Sequence, residues 1–193
     1  MKGVEKRMKY YTLDNVISKT QLFKLYNIII STPNWTLDRT SSGFNDLESV
    51  GFPGMVIEDK GNCHNTYLAG YFHSVLDIVK FQFKEKYKFP LPHHIHRINL
   101  GAKNDKSETE YHADNVANNS WTILGFITPV WKLEDGGEFK IEGDTIEYKP
   151  GRFIIFRSNL LHNGGFVRNT NLSYWRISVN IILSDVGKNN EIL

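Results

Sequence analysis

The chain has 193 residues, of which 40% are hydrophobic and 23% charged, and its net charge is +2. These values predict one soluble domain over residues 1–193 and argue against a nucleic-acid partner, which usually requires a basic surface. A single cysteine, no apolar run of membrane length and no signal-peptide pattern exclude a disulfide framework and a membrane partner, and predict a cytoplasmic protein.

The first part of the chain, about residues 1–90, is predicted to consist of helices and loops. Apolar residues recur at helical intervals in LDNVISKTQLFKLYNIII (13–30) and in TYLAGYFHSVLDIVKFQFKEKY (66–87). The prolines of KFPLP (88–92) end the second helix. Between the helices, residues 31–54 are rich in Ser, Thr, Asn, Gly and Pro, which predicts a loop with at most a short strand.

The second part, about residues 91–185, has a different pattern. Short runs of β-branched and aromatic residues alternate with turn residues, as in all-β sandwiches and barrels. The runs are HHIHRINLGA (93–102), WTILGFITPVW (121–131), GEFKIEG (137–143), DTIEYKP (144–150), GRFIIFRS (151–158) and YWRISVNIIL (174–183). They predict a β-barrel or jelly roll.

The segment EYHADN (110–115) places an imidazole and a carboxylate two residues apart. In extended backbone His112 and Asp114 point to the same side, so they can bind one metal ion together. The pattern is weak in isolation, because a surface turn in which the aspartate caps a backbone amide has the same residues.

A reactive metal needs a third protein ligand, and His162 can supply it from another strand of the predicted barrel. Two imidazoles and one carboxylate form the facial triad of non-haem iron(II) oxygenases, which leaves coordination positions open. The alternative for His162 is a histidine buried in the core or in a turn.

Charge balance predicts a fixed cation near such a centre. Iron(II) with one carboxylate ligand keeps one positive charge, and a chelating dianion such as 2-oxoglutarate would make the site negative. Strand alternation places Arg176 and Ser178 on one face of YWRISVNIIL, where the guanidinium could bind a carboxylate and the hydroxyl could assist. Arg176 could instead pair with an acidic residue inside the barrel.

Four segments, YHADN, WTILGFITPVWKLEDGGEF, KPGRFIIFRSNLLHNGG and RISVNIIL, together resemble the 2-oxoglutarate and iron(II)-dependent oxygenases in their prolyl 4-hydroxylase-like branch. The resemblance covers roughly residues 94–183. It implies an α+β, mainly β fold, a double-stranded β-helix of the jelly-roll, cupin-like kind with N-terminal helices packed on one sheet. Members of this family use iron(II) as cofactor and 2-oxoglutarate and dioxygen as cosubstrates.

By this resemblance His112, Asp114 and His162 are the iron ligands and catalytic residues. Arg176 holds a carboxylate of 2-oxoglutarate with help from Ser178. Asn99 stands where many family members have a tyrosine that touches the cosubstrate.

The implied reaction is the hydroxylation of a peptide side chain, as in prolyl hydroxylases, or of a small molecule, with decarboxylation of 2-oxoglutarate to succinate. Arg97 shares a face with Asn99 and could either contact the substrate or form a salt bridge. Trp121 is a second candidate substrate contact or a packing residue. The polar segment LGAKNDKSETEY (100–111) predicts a lid. Two other interpretations stay open: a non-catalytic β-barrel binding module, and a cupin-type metalloenzyme with another cosubstrate.

Overall fold

The structure of the protein, a computed structural model, describes residues 8–39, 52–104, 110–114, 119–168 and 175–185. Along these residues lie two α-helices, eleven β-strands and one short 3-10 turn. In chain order they are β1 (Tyr10–Leu13), α1 (Lys19–Ser31), β2 (Thr36–Arg39), β3 (Phe52–Asp59), β4 (Asn62–Cys63), α2 (Thr66–Tyr87), β5 (His94–Lys103), β6 (Trp121–Phe126), the 3-10 turn (Leu133–Asp135), β7 (Phe139–Ile141), β8 (Asp144–Ile146), β9 (Phe153–Arg157), β10 (His162–Gly164) and β11 (Arg176–Ser184).

The helices begin and end at capping residues. Ser18 forms a capping box with Gln21: its hydroxyl accepts from the Gln21 amide at 3.3 Å, and the Gln21 side chain accepts from the Ser18 amide at 3.2 Å. The helical pattern was predicted to begin after Asp14, but Ser18 has extended backbone and caps the helix, which begins at Lys19. Helix α2 has the predicted bounds and ends at Lys88, whose φ of 63° is left-handed.

The strands form two sheets. The larger sheet has eight strands in the order β1-β9-β6-β11-β5-β3-β2, and β4 pairs with β3 at its side. The smaller sheet has three strands in the order β10-β7-β8. All described pairings are antiparallel, and β11 lies at the centre of the larger sheet between β5 and β6.

Two hydrophobic clusters lie on opposite faces of the larger sheet. On one face the buried sides of α1 and α2 pack against alternate residues of β5 and β11, such as Leu100 and Val179. On the other face the smaller sheet closes over a second cluster that includes Phe139 and Phe156. This arrangement confirms the predicted double-stranded β-helix with helices packed on one sheet.

The first part of the chain contributes more to the sheets than its sequence pattern predicts. Strands β1, β2 and β3 all join the larger sheet, where β1 pairs with β9 and β3 pairs with β5. Strands β1 and β2 have only four residues each, and β1 and β3 take hydrogen bonds from partners that are distant in the chain, so local sequence gives little sign of them. Strand β10 was expected only as a strand of the barrel that carries His162, and its bounds were not predicted. Residues 105–109 of the predicted lid lie outside the described residues.

An ion-pair cluster attaches the segment after β1 to the turn before β9. Arg152 donates to the two Asp14 oxygens, from Nε at 2.7 Å and from Nη2 at 3.1 Å, and Lys149 Nζ donates to Oδ2 at 2.9 Å. The Arg152 hydrogen bond is the main reason why the pKa of Asp14 falls to about 2. Within the described residues neither helix has the length and apolar character needed to span a membrane.

Candidate metal and carboxylate site

His112 and His162 face each other across the open edge of the smaller sheet. His112 N donates to His162 O and His162 N donates to His112 O, both at 3.0 Å. Each imidazole Nδ1 lies against the carbonyl oxygen two residues earlier, 3.0 Å from Glu110 O and 2.9 Å from Leu160 O. A carbonyl can only accept, so Nδ1 carries a proton in each ring, and Nε2 is the nitrogen that faces the interior and can bind a metal in the neutral tautomer.

Asp114 is held from two strands of the larger sheet. Thr122 of β6 donates its hydroxyl to Oδ2 at 2.8 Å, and Asn180 of β11 donates its amide to Oδ1 at 3.0 Å. The Thr122 oxygen is also 2.9 Å from the Ser158 hydroxyl, and because the Thr122 proton goes to Asp114, Ser158 is the donor of this second bond. The carboxylate of Asp114 is therefore fixed in direction before any ligand arrives.

These three side chains form one cluster. Asp114 Oδ2 lies 3.5 Å from His162 Nε2, and Oδ1 lies 4.0 Å from His112 Nε2. Three atoms, one from each side chain, lie within 4.8 Å of one another, and no other trio of His, Cys, Asp or Glu in the described residues is so placed. Burial lowers the pKa of His162, although the Asp114 carboxylate opposes the shift. A neutral imidazole is the form that binds a metal.

Arg176 lies at the start of β11 and is 2% exposed. Its Nε donates to Gly137 O at 2.8 Å, whereas its Nη2 is buried and has no hydrogen-bond partner among the described residues. The guanidinium lies 5.3 Å from the ring centres of both Phe126 and Tyr148. Burial lowers the pKa of Arg176 and raises that of Tyr148 to about 12. No carboxylate within the described ranges forms an ion pair with this guanidinium.

The histidine and aspartate cluster and Arg176 line one cavity of about 100 Å³ between the two sheets. Strand alternation accounts for its walls, because Arg176, Ser178 and Asn180 of β11 all face inwards. The cavity is lined by Asn99, Gly101, Lys103, His112, Asp114, Thr122, Leu124, Phe139, Phe156, His162, Gly164, Arg176, Ser178 and Asn180.

The remaining predicted site residues are divided between this cavity and other places. Ser178 and Asn99 lie in the cavity wall, Asn99 opposite Asn180 in the β5–β11 register. Arg97 lies two residues before Asn99 on β5 and is half-buried. Its Nε is buried and has no hydrogen-bond partner among the described residues. Trp121 does not line the cavity. Its indole belongs to the helix-side core and is covered by the Arg157 guanidinium 4.1 Å from the ring centre.

Lys103, the last residue of β5, also lines the cavity and was not predicted as a site residue. It lies directly opposite Arg176 in the strand register, and its Nζ donates to Gly164 O at 3.0 Å. Burial and the Arg176 charge lower the pKa of Lys103 to about 6. Continuing the alternation of Arg97 and Asn99 for two more inward positions would have found it, but the predicted strand ended at residue 102.

Comparison with known proteins gives matches in structure only. No protein-family model matches the sequence, and no curated protein does. A prolyl-4-hydroxylase from Pseudomonas putida superposes with a TM-score of 0.65 at 11% identity, covering 94% of this chain and 95% of that one. The fold is that of the 2-oxoglutarate and iron(II)-dependent oxygenases.

Two further structures have the same fold. The viral collagen prolyl hydroxylase of Paramecium bursaria Chlorella virus-1, solved as its 2-oxoglutarate complex, has a TM-score of 0.63 at 15% identity, covering 96% of this chain and 100% of that one. The epimerase SnoN, solved with Fe³⁺, α-ketoglutarate and nogalamycin RO, has a TM-score of 0.60 at 10% identity, covering 93% and 80% of the two chains. At such identities the likeness concerns the fold, and the chemistry has to be argued from the side chains of this chain.

Proposed function

We propose that this chain is an iron(II)- and 2-oxoglutarate-dependent dioxygenase that hydroxylates its substrate. The observation that carries the proposal is that one cavity holds both the His112, Asp114 and His162 cluster and a buried arginine, Arg176, with an unpartnered Nη2. A buried donor without a partner is costly, so its place in the cavity favours a ligand that accepts from it.

The donor set suits iron(II). Two imidazoles with their Nε2 atoms directed inwards and one carboxylate would hold iron(II) through three protein ligands, which would leave coordination positions for other ligands. The hydrogen bonds of Thr122 and Asn180 to Asp114 supply the outer support that metal-binding carboxylates usually have. Such a site can admit a chelating ligand as well as dioxygen.

The rest of the cavity suits 2-oxoglutarate. Asn180 contacts Asp114, and Arg176 lies four residues earlier on the same strand face, about 13 Å away along the backbone. A five-carbon dicarboxylate together with the long arginine side chain can span that distance. The Arg176 charge also balances the site, because iron(II), Asp114 and the dianion sum to one negative charge. We assign the distal carboxylate to Arg176 with Ser178 as a hydroxyl donor, and Asn99 to the cavity wall beside it.

Bound iron and 2-oxoglutarate supply the oxidation: dioxygen is consumed, 2-oxoglutarate becomes succinate and carbon dioxide, and a substrate C–H becomes C–OH. The chain's own residues position the reactants. The two Nδ1–H groups fix the imidazole tautomers, Thr122 and Asn180 fix the carboxylate, and Arg176 fixes the cosubstrate. The apolar side chains of Leu124, Phe139 and Phe156 line the same cavity and limit the entry of water.

The proposed substrate is a peptide side chain, with a small molecule as the alternative. Both kinds occur among proteins of this fold, since one is a collagen prolyl hydroxylase and another was solved with nogalamycin RO. Arg97 is the proposed substrate contact, because it lies on the cavity face of β5 beyond Asn99 and its buried Nε has no partner. Trp121 is left out of this proposal because its indole packs on the opposite face of the sheet.

The test is anaerobic loading with iron(II) and 2-oxoglutarate, followed by admission of air. We expect a weak visible charge-transfer band, absent in His112→Ala and weakened in Arg176→Ala, and then release of succinate. His94→Ala is the matched control, since His94 is an exposed histidine at the start of β5.

The outcomes separate the proposal from its two rivals. A non-catalytic binding module would bind iron without releasing succinate. A cupin-type enzyme with another cosubstrate would tolerate Arg176→Ala and show no band with 2-oxoglutarate. Either result would refute the proposal, and a screen of peptides and metabolites with the active protein would identify the substrate.

A further inference from the structure

Two cationic side chains converge at the end of the cavity away from the histidines. Lys103 and Arg176 are direct partners in the β5–β11 register, and they are 7% and 2% exposed. Both approach Gly164 of β10: a Cβ added to this glycine would lie 2.7 Å from Lys103 Nζ and 3.6 Å from Arg176 Nη1. Because both nitrogens lie so near one point, a single carboxylate can contact both.

Placing two such groups together is unfavourable unless an anion joins them or one loses its charge. An arginine stays protonated, so the lysine is the group that responds. In the ligand-free protein the pKa of Lys103 is lowered to about 6, first by burial and then by Arg176. Lys103 is therefore largely a neutral amine at neutral pH.

Other ionisable groups act on this pair without changing that conclusion. Burial is the main cause of the lowered pKa of His162 on β10, and Lys103 acts on it only weakly in the same direction. Tyr148 and Glu138 act on Arg176, but Tyr148 has a pKa of about 12 and Glu138 is hydrogen-bonded to Arg168. Binding of a carboxylate next to Lys103 would favour the protonated form of Lys103, because the negative charge stabilises the ammonium group.

We propose that Lys103 and Arg176 together bind the distal carboxylate of the cosubstrate, and that Lys103 takes up a proton from solvent when this carboxylate binds. The inference rests on the proposed function, since it takes 2-oxoglutarate as the ligand. It assigns a role to Lys103 and predicts that binding weakens as the pH rises, by up to about tenfold per pH unit above pH 6.

The test is calorimetric titration of 2-oxoglutarate into protein loaded with Mn²⁺, at pH 7.5, in two buffers of different ionisation enthalpy. We expect uptake of close to one proton per site. The matched ligand is 2-oxopentanoate, which keeps the keto acid but lacks the distal carboxylate, and it should bind more weakly with no uptake.

Substitutions identify the residue that takes up the proton when 2-oxoglutarate binds. Lys103→Met should abolish the uptake and weaken 2-oxoglutarate binding by about tenfold, whereas Lys80→Met, which removes a partly buried lysine outside the cavity, should change neither. The wild-type measurement decides the question even if Lys103→Met does not fold.

The possible failures can be told apart. Binding of 2-oxoglutarate without proton uptake, or equal uptake in Lys103→Met, overturns this inference alone. Failure of the Mn²⁺-loaded protein to bind 2-oxoglutarate overturns the proposed function and this inference together.

Discussion

The main chains of His112 and His162 hydrogen-bond to each other in both directions, at 3.0 Å each way. The separation of the two imidazoles is thus set by backbone, which moves less than side chains do. Because Asp114 is fixed by Thr122 and Asn180, all three candidate ligands are arranged before a metal binds. A preorganised site of this kind loses little ordering entropy on binding.

The hydroxyl of Thr122 should matter for metal affinity although it is not itself a ligand. Thr122→Val keeps the side-chain shape but removes the donor to Asp114 Oδ2 and leaves that oxygen to reorient. We expect metal affinity to fall on the order of 10–100-fold. Competition against a fluorescent chelator measures this directly. Thr145→Val, on the exposed surface of β8, is the control and should bind metal like the wild type.

Gly137 should be required for the placement of Arg176. It has a φ of +71°, and an added Cβ would lie 2.7 Å from Arg176 Cδ and 2.8 Å from Nε. Gly137→Ala should therefore displace the guanidinium and weaken 2-oxoglutarate binding by at least about tenfold, since a charge-assisted contact is lost.

Gly143→Ala is the matched control for that substitution. Gly143 has a φ of +87°, but no atom lies within 4 Å of an added Cβ. Both variants should lose about 1 kcal/mol of unfolding free energy from backbone strain, yet only Gly137→Ala should lose ligand affinity. Equal affinities of the two variants for 2-oxoglutarate would show that Gly137 is not required to position Arg176.

The Asp14 ion-pair cluster should make stability depend on pH. The pKa of Asp14 in the folded protein, about 2, is below the ordinary 3.8, so its contribution is complete above about pH 4 and is lost as the pH falls towards 2. Asp14→Asn should cost about 0.5–1 kcal/mol at pH 7, because solvent screens this partly exposed side chain. In urea unfolding the difference from wild type should shrink between pH 4 and pH 3.

Asp144→Asn is the comparison for Asp14→Asn. Asp144 is exposed, and its Oδ2 lies 4.0 Å from Lys9 Nζ, which is also exposed. Its replacement should leave the unfolding free energy unchanged at pH 7. A difference between Asp14→Asn and wild type that stays constant down to pH 3 would mean that the Asp14 charge is not the cause.

The capping box at Ser18 should contribute measurably to stability. Ser18→Ala removes the oxygen that accepts from the Gln21 amide, and such losses cost about 1 kcal/mol. Thermal and urea unfolding would report the change. Ser31→Ala, at the other end of α1, removes no cap and should be neutral or slightly stabilising; an equal loss in both variants would argue against the capping role.

The helices were predictable where the signal was local. The apolar positions of α2 recur without interruption from Leu68 to Phe83, and prolines follow soon after, so both ends agree with prediction. Strand β1 carries no such signal, because its four residues become a strand only by pairing with β9, which lies 140 residues further along the chain. Long-range pairing of this kind is invisible to a window of sequence.

The dependence on long-range strand pairing also explains which residues of the candidate site were predicted and which were not. His112 and Asp114 lie two residues apart, and Arg176 opens a strongly patterned strand, so each could be named from the sequence. Strand alternation could have identified Lys103 as an inward-facing residue, but its position opposite Arg176 depends on the register between β5 and β11. Trp121 was a candidate because it borders β6, but Thr122 points to the cavity and strand alternation turns Trp121 to the helices.

His162 belongs to the smaller sheet, whereas Asp114 is anchored to β6 and β11 of the larger one. An ion shared by these residues would cross-link the two layers of the β-helix. Removal of such an ion would then shorten the lifetime of the protein, since layers that are no longer joined open more often to proteases.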